Sequence, residues 1–115
     1  TDFSTTEKIY NELLSGFPEI QRKGKTMPYT SMNGNMFSFV SKVGELAFRL
    51  SKEDQHAYIE NFGATLSIQY NSVMHGYINV PEKYFKDSAF LKTLFEKSIA
   101  NARNLKPKPT TKKKK

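Results

Sequence analysis

Residues 27–50 read MPYTSMNGNMFSFVSKVGELAFRL, and they contain three short apolar runs separated by two turns. Asn33-Gly34 is the strongest hairpin signal in the chain, because a type I′ turn requires a positive φ angle at both central residues. The first run, from Met27 to Met32, contains Pro28 and is therefore expected to form an edge or irregular strand. Short links join the three runs, so the stretch predicts neighbouring antiparallel strands.

The second and third runs have the period-two pattern of half-buried strands. In the second run, from Met36 to Ser41, Phe37 and Phe39 are expected to share one face of the sheet. In the third run, Leu46, Phe48 and Leu50 alternate with Glu45, Ala47 and Arg49. This alternation places Arg49 on the face opposite the buried leucine and phenylalanine side chains.

Helical patterns flank this block on both sides. Residues 4–7, Ser-Thr-Thr-Glu, have the spacing of a capping box, and Gly16 and Pro18 are expected to end the helix that follows. The apolar stripe of that helix consists of Ile9, Tyr10, Leu13, Leu14 and Phe17. A second helix is expected to begin at Ser51, with Glu53 and Asp54 in the first turn, where the helix dipole favours acids.

A second hairpin and a last helix complete the pattern. Leu66, Ile68 and Tyr70 alternate with polar residues, Asn71-Ser72 turns the chain, and residues 73–80 return. Pro81 stops that strand and can start a short helical turn, and Asp87 or Ser88 caps the last helix. The stripe of the last helix consists of Phe90, Leu91, Leu94, Phe95, Ile99 and Ala102.

The element order α-β-β-β-α-β-β-α predicts a two-layer α+β domain. Its five-stranded sheet is expected to be mostly antiparallel, with helices on one face. The other face is expected to be partly exposed. If that face carries aromatic side chains, it suits a protein partner or a second copy of the chain.

Composition excludes several classes of protein. The chain has 115 residues, enough for one domain, and no run of 18 apolar residues, so no membrane span is expected. Residues 1–4 have neither the basic start nor the apolar stretch of a secretory signal. Cysteine is absent, which excludes disulfides, thiol catalysis and cysteine-ligated metals. A cytoplasmic location is the expectation that fits this composition.

Positive charge is concentrated at the end of the chain. Residues 106–115 hold six lysines and no acid, whereas residues 1–105 hold 12 basic and 11 acidic residues, a net charge of +1. We therefore expect a folded domain over residues 1–105 and an extended, disordered arm over residues 106–115. Solubility is the simplest role for this arm. The alternative is non-specific binding to nucleic acid through Lys106, Lys108, Lys112, Lys113, Lys114 and Lys115; attraction to a membrane has less support.

The sequence contains no recognisable catalytic or metal-binding constellation. His56 and His75 are the only histidines, and neither has a second ligand at metal-binding spacing. The tripeptide Gly24-Lys25-Thr26 ends like a P-loop, but position 19 is Glu rather than glycine. We therefore expect no enzyme activity, cofactor or metal.

Two basic residues are the candidates for contact with a partner, Arg49 and Lys25. The simpler interpretation of Arg49 is a cross-strand pair with an acid such as Glu45. A set of aromatic residues, comprising Tyr29, Phe37, Phe39, Tyr70 and Tyr77, could instead indicate a base-stacking platform. Core packing is the better interpretation of that set, since no basic-aromatic motif accompanies it.

Several motifs resemble those of the TfoX N-terminal domain family. Residues 34–40 (GNMFSFV) followed by residues 44–50 (GELAFRL) resemble the family's hairpin, and residues 73–81 (VMHGYINVP) resemble its later strand. The ending Leu105-Lys106-Pro107-Lys108-Pro109 resembles that of short, single-domain members. The resemblance covers roughly residues 5–109 and implies an α-β(3)-α-β(2)-α fold like that of type III secretion chaperones.

The same resemblance implies a regulatory role without catalysis. The family takes its name from regulators of natural competence, which pair this domain with a C-terminal helical domain, and it offers no catalytic residues to carry over. We therefore expect a non-enzymatic binding or regulatory module that uses its sheet for protein contacts. The alternative is a competence-type regulator that binds DNA non-specifically through the lysine tail.

Overall fold

The computed structural model describes residues 2–69 and 71–106, which form three α-helices and five β-strands in the predicted order. The elements are α1 (Phe3–Ser15), β1 (Tyr29–Met32), β2 (Asn35–Val40), β3 (Leu46–Arg49), α2 (Lys52–Phe62), β4 (Thr65–Gln69), β5 (Ser72–Asn79) and α3 (Ser88–Asn104). A short 3-10 helix, Glu82–Tyr84, follows Pro81 as expected.

The five strands form one antiparallel sheet in the order β1-β2-β3-β5-β4. Helices α1 and α3 pack on β2, and α3 also packs on β3, so these helices cover one face, which we call the inner face. The predicted two-layer α+β fold is confirmed. Strand β1 lies at an edge, as the proline beside it indicated.

Most of the turn and helix-cap residues predicted from the sequence are confirmed. Asn33 and Gly34 have φ angles of 54° and 82°, so the two-residue turn between β1 and β2 is confirmed. The Ser51 side chain accepts a hydrogen bond from the Asp54 N–H, and the Asp87 side chain accepts one from the Phe90 N–H. The predicted cap of α1 was wrong.

Asp2, rather than Ser4, caps α1. The Asp2 carboxylate accepts a hydrogen bond from the Thr5 N–H at 2.9 Å, and the helix begins at Phe3. A carboxylate and a hydroxyl two residues apart are both good caps, and here the helix begins two residues earlier than the capping-box pattern indicated. This hydrogen bond is also the main cause that lowers the pKa of Asp2.

Phe37 and Phe39 lie on opposite faces of the sheet, which corrects the sequence-based expectation. Thr30 pairs with Ser38 but Ser31 pairs with Met36, so Phe37 is an extra residue in β2. Such a bulge resets the alternation of side chains. Phe37 packs against Phe95 on the inner face, whereas Phe39 packs against Tyr77 on the other.

The inner-face core is centred on Phe95 of α3. The Phe95 ring lies 4.8 Å from that of Phe17, and 5.8 Å from those of Phe37 and Phe48, measured between centroids. Polar groups inside this layer are paired: Tyr10 Oη lies 2.7 Å from Ser38 Oγ, which also bonds Thr30. The first helix is therefore joined to the sheet by hydroxyl groups as well as by apolar packing.

Candidate protein-binding face

A second apolar cluster lies on the outer face of the sheet, opposite α1 and α3. At its centre Phe39, Ala47 and Tyr77 are 1%, 0% and 6% exposed. The residues packed around them are Met27, Tyr29, Met36 and Met74, all partly buried. We call these seven residues the outer-face cluster. No helical residue belongs to this cluster. Its solvent-facing surface is formed by the partly buried side chains of the three methionines and Tyr29.

Strand pairing explains why these residues meet. The bulge in β2 turns Phe39 outward, and Phe39 pairs with the small Ala47 of β3. The Tyr77 hydroxyl reaches across β3 and donates a hydrogen bond to the Met36 carbonyl at 2.6 Å. Burial raises the pKa of Tyr77, and the neighbouring Arg49 acts in the opposite direction.

Arg49 lies at the margin of this cluster, on the outer face as predicted. It pairs with Tyr77 across the sheet, and its guanidinium carbon lies 5.9 Å from the centre of the Tyr77 ring, within cation–π range. The side chain crosses Gly76, where a Cβ would stand 3.4 Å from Arg49 Cγ and Nε. Gly76 has a φ angle of +95°, so a glycine here both fits the backbone and leaves room for the arginine.

The acid expected beside Arg49 is engaged elsewhere. The Glu45 carboxylate accepts hydrogen bonds from Gln69 at 2.9 Å and from Asn79 at 3.3 Å. Within residues 2–69 and 71–106, the ion pair closer than 4 Å joins Arg22 to Glu7, not Arg49 to an acid. The positive charge of Arg49 thus faces an aromatic ring, and no carboxylate in the described chain neutralises it.

Lys25, the other basic candidate, is not brought to Arg49 by any described contact. It is exposed in the loop before β1, while Arg49 belongs to β3, two strands further into the sheet. Met27, two residues after Lys25, joins the outer-face cluster. The loop therefore contributes to the face through its methionine.

Comparison with known proteins identifies the family. The TfoX N-terminal domain family matches residues 12–102 of the 115. The chain belongs to this family. No curated protein and no solved structure matched the chain. A TfoX N-terminal domain suggests a competence-related regulatory domain.

The described aromatic residues of this TfoX N-terminal domain, which exclude Tyr70, do not form an exposed stacking platform. Phe37 belongs to the inner core, and Phe39 and Tyr77 are buried. Tyr29 is half-buried at the edge of the outer-face cluster, and Tyr70 lies outside the described residues. Core packing, the interpretation preferred from the sequence, accounts for the described members of this set.

The two histidines lie on different elements of the fold. His56 is exposed on α2 and His75 is exposed on β5. In the part of the chain that the structure describes, no three His, Asp or Glu side chains are grouped as a metal site requires. Gly24-Lys25-Thr26 leads into a strand rather than the helix N-terminus of a P-loop.

Of the tail lysines, only Lys106 falls within the described residues. Its carbonyl accepts a hydrogen bond from the Asn35 side chain at 2.8 Å, so the chain leaves the fold beside the β1–β2 hairpin. Lys108 and Lys112 to Lys115 lie outside the described residues, as does most of the predicted disordered arm. No described helix is long and apolar enough to cross a membrane.

A cleft of about 460 Å³ lies between α1 and the start of α3. Its apolar wall consists of Ile9, Leu13, Phe85 and Leu91. Glu12 and Lys86 supply the charged groups, and both are exposed. Ser15 and Ser88 also line the cleft, and the Ser15 hydroxyl donates to the backbone carbonyl of Glu12. Among the described residues, no hydrogen bond joins the side chains of Glu12, Lys86, Ser15 and Ser88 to one another.

Proposed function

We propose that this TfoX N-terminal domain is a non-enzymatic regulatory module that binds a protein partner on its outer sheet face. The observation that carries the proposal is the outer-face cluster, an apolar centre on a sheet face that no described helix covers. The centre of the cluster is buried, and its rim of three methionines and Tyr29 is partly buried, so the rim is the apolar surface that a partner would contact. The polar border here includes Glu45, Gln69 and Asn79.

The side chains around the cluster suit a protein ligand. Met27, Met36 and Met74 are unbranched and polarisable, and such side chains can repack against different apolar partners. Aromatic residues and arginine are enriched where proteins meet. A partner would therefore cover the methionines and extend the apolar layer that Phe39 and Tyr77 begin.

Arg49 indicates the charge of that partner. Its guanidinium is not paired with a carboxylate of the described chain, and it lies over the ring of Tyr77, a member of the outer-face cluster. A carboxylate on the partner would gain a charge-assisted hydrogen bond there. We infer that the ligand is an apolar protein segment with at least one acidic side chain.

The non-enzymatic part of the proposal rests on the distribution of reactive groups. His56 and His75 lie on different elements, the Asp2 carboxylate caps α1, and the Glu45 carboxylate accepts hydrogen bonds from Gln69 and Asn79. A cytoplasmic location belongs to the same proposal. It is supported by the absence of cysteine from the sequence.

Charge reversal on the outer face tests this function. Arg49→Glu is compared with Lys97→Glu, which makes the same change of charge on an exposed residue of α3. Proteins retained by each full-length variant are quantified by mass spectrometry, and the affinity of a purified partner is then measured by calorimetry. We expect Arg49→Glu to weaken binding about tenfold or more, because it replaces a charge-assisted pair by like-charge repulsion.

Thermal unfolding separates binding from folding in this comparison. Lys97→Glu is expected to melt within about 3 °C of the wild type, since exposed substitutions usually change stability by less than about 0.5 kcal/mol. Arg49 is half-buried against Tyr77, so Arg49→Glu is expected to lose that contact, about 0.5–1 kcal/mol, and to melt within about 8 °C of the wild type. A partner that binds Arg49→Glu and a second outer-face variant, Met74→Asp, as tightly as the wild type would refute the proposal. Unfolding of Arg49→Glu would show instead that Arg49 is structural.

A further inference from the structure

Strand β4 forms an open edge of the sheet. The opposite edge, β1, is covered: the Lys23 N–H donates to the Tyr29 carbonyl at 2.8 Å, and the Tyr29 N–H donates to the Lys23 carbonyl at 3.0 Å. Strand β4 pairs with β5 on one side. Within the described residues, no segment pairs with its other side.

The sequence of β4 lacks the features that usually protect an edge strand. It reads Thr-Leu-Ser-Ile-Gln, without charge or proline. The register irregularity between β4 and β5 adds its extra residues to β5: Leu66 pairs with Ile78, and Ile68 pairs with Val73. Strand β4 therefore stays regular and keeps its backbone groups aligned for another strand.

Exposed apolar side chains concentrate on this hairpin. Leu66 is 43% exposed, Ile68 is 57% exposed and Val73 is 41% exposed. Among the described residues, the fourth large hydrophobic side chain with comparable exposure is Val43, in the β2–β3 turn. The clustering of three such residues at an unpaired edge marks a surface for association.

A small cleft opens beside Leu66, between β4 and α2. Its volume is about 190 Å³, and its lining includes Ile59, His56 and Lys52 of α2 together with Leu66. Ile59 and Leu66 give it an apolar wall. Ile68, two residues beyond Leu66 on the same face of β4, protrudes next to it.

We propose that β4 pairs antiparallel with β4 of a second copy of this chain, about a two-fold axis at Ser67. This register sets Leu66 opposite Ile68 of the second copy. The protruding Ile68 of each copy then lies against the cleft of the other, and symmetry makes the contact twice. Thr65 meets Gln69, so no like charges face each other across the pair.

A second copy fits this edge better than an unrelated strand. The protruding Ile68 and the cleft at Leu66 lie two residues apart on one strand, which is the offset that an antiparallel copy needs to fill both clefts at once. The net charge of +1 on residues 1–105 adds little repulsion between copies. This surface is distinct from the outer-face cluster, so the inference stands without the function proposed above.

The proposed β4–β4 interface is expected to bury a small area and to bind weakly. A pair of five-residue strands buries less than the roughly 1,200 Å² of a standard interface, and the α2 cleft adds only part of the difference. We therefore expect a reversible dimer with a dissociation constant of about 1–100 μM, near the weak end of specific association.

The first test is the mass of the full chain in solution across this concentration range. Sedimentation is expected to show a shift from 13.2 kDa toward twice that mass as concentration rises. Ile68→Lys places a charge on each side of the axis, so we expect it to raise the dissociation constant about 100-fold or more. The control is Val43→Lys, which introduces the same charge in the β2–β3 turn at a side chain that is 71% exposed. This variant is expected to dimerise like the wild type.

Cross-linking then tests the register. The chain has no cysteine, so a single introduced thiol is unique. The Ser67 side chain is fully buried within one copy, so a thiol there can meet another only if the two strands pair at this residue. Ser67→Cys is then expected to form an intermolecular disulfide on mild oxidation, because directly opposed residues on antiparallel strands have Cα atoms about 4.5–5.5 Å apart. Thr65→Cys is expected to remain mostly uncross-linked, since Thr65 meets Gln69 in this register.

Three results would overturn the proposal. A wild type that remains monomeric at about 300 μM, above the expected range of dissociation constants, would exclude self-pairing and leave the edge to a strand from another protein. A dimer that Ile68→Lys does not weaken would place the interface elsewhere. Equal cross-linking by the two cysteine variants would exclude the Ser67-centred register.

Discussion

Tyr10 is the clearest case of a single residue whose ionisation depends on the fold. Its side chain is fully buried, and its hydroxyl meets Ser38. Burial raises the pKa of Tyr10 to about 12 because the phenolate would be deprived of water, and the hydrogen bonds of Ser38 and Thr30 only partly offset this. Tyr77 and Tyr58 have pKa values raised by burial as well.

The raised pKa of Tyr10 predicts a loss of stability at alkaline pH. The native state keeps the proton when the unfolded chain, with a pKa near 10, has released it. The protonated Tyr10 therefore stabilises the native state fully below about pH 10. This stabilisation is lost as the pH rises toward 12, at about 1.4 kcal/mol per pH unit. Urea unfolding at pH 8 to 11.5 measures the free energy of unfolding across this range.

Tyr10→Phe should flatten that alkaline slope, and it should cost about 1 kcal/mol at neutral pH through the lost hydrogen bond. The control is Tyr29→Phe, at a half-buried tyrosine on the outer face. An alkaline slope that remains unchanged in Tyr10→Phe would show that other groups govern the transition.

At the level of elements, α3 and the β2 bulge depend on each other. Ser98 of α3 is fully buried, and its hydroxyl lies 2.9 Å from the Phe37 carbonyl and 2.7 Å from the Arg49 carbonyl. The Ser98 hydroxyl therefore contacts one backbone carbonyl in the β2 bulge and another at the end of β3. The bulge in turn sends Phe37 to the inner core and Phe39 to the outer-face cluster.

Removal of this hydroxyl should loosen α3 from the sheet. We expect Ser98→Ala to lower the free energy of unfolding by about 1–3 kcal/mol, because it leaves buried carbonyls short of a donor. Ser15→Ala is the matched control, since the Ser15 hydroxyl bonds the Glu12 carbonyl at an exposed position and should cost less than about 0.5 kcal/mol. Equal losses in urea unfolding would contradict a special role for Ser98.

The elements that sequence could predict are those with local signals. Asn33-Gly34 requires a turn, and Ser51 and Asp87 mark helix starts, so the element order followed from short stretches. The bulge at Phe37 has no such signal, because it depends on which residue of β1 pairs with which residue of β2. Local pattern alone therefore assigned Phe37 and Phe39 to one face.

At the scale of the whole molecule, strand order creates the candidate site. Met36 and Tyr77 are far apart in sequence and meet because β5 lies beside β3 rather than at the end of the sheet. The position of Arg49 on the outer face was predictable from alternation, whereas the Tyr77 ring beneath it and the methionines around that ring were not. Their meeting depends on the order β1-β2-β3-β5-β4.

The charge of the whole chain gives the last prediction. Six of its 18 basic residues lie in residues 106–115, and the remaining 12 are balanced by 11 acids. We expect any affinity for mixed-sequence duplex DNA to come from those six lysines, with a log–log salt slope no steeper than about −5, from roughly −0.9 per neutralised phosphate. Their replacement by glutamine in the full chain should abolish binding at about 50 mM salt.

An equal change of charge on the folded part provides the control. The exposed lysines chosen for replacement by glutamine are Lys8, Lys42, Lys52, Lys86, Lys92 and Lys97. These residues are spread over α1, the β2–β3 turn, α2 and the α3 region, so we expect the salt slope to change little. If this variant lost DNA binding while the tail variant kept it, the folded part would carry a DNA-binding surface, contrary to its near-neutral charge.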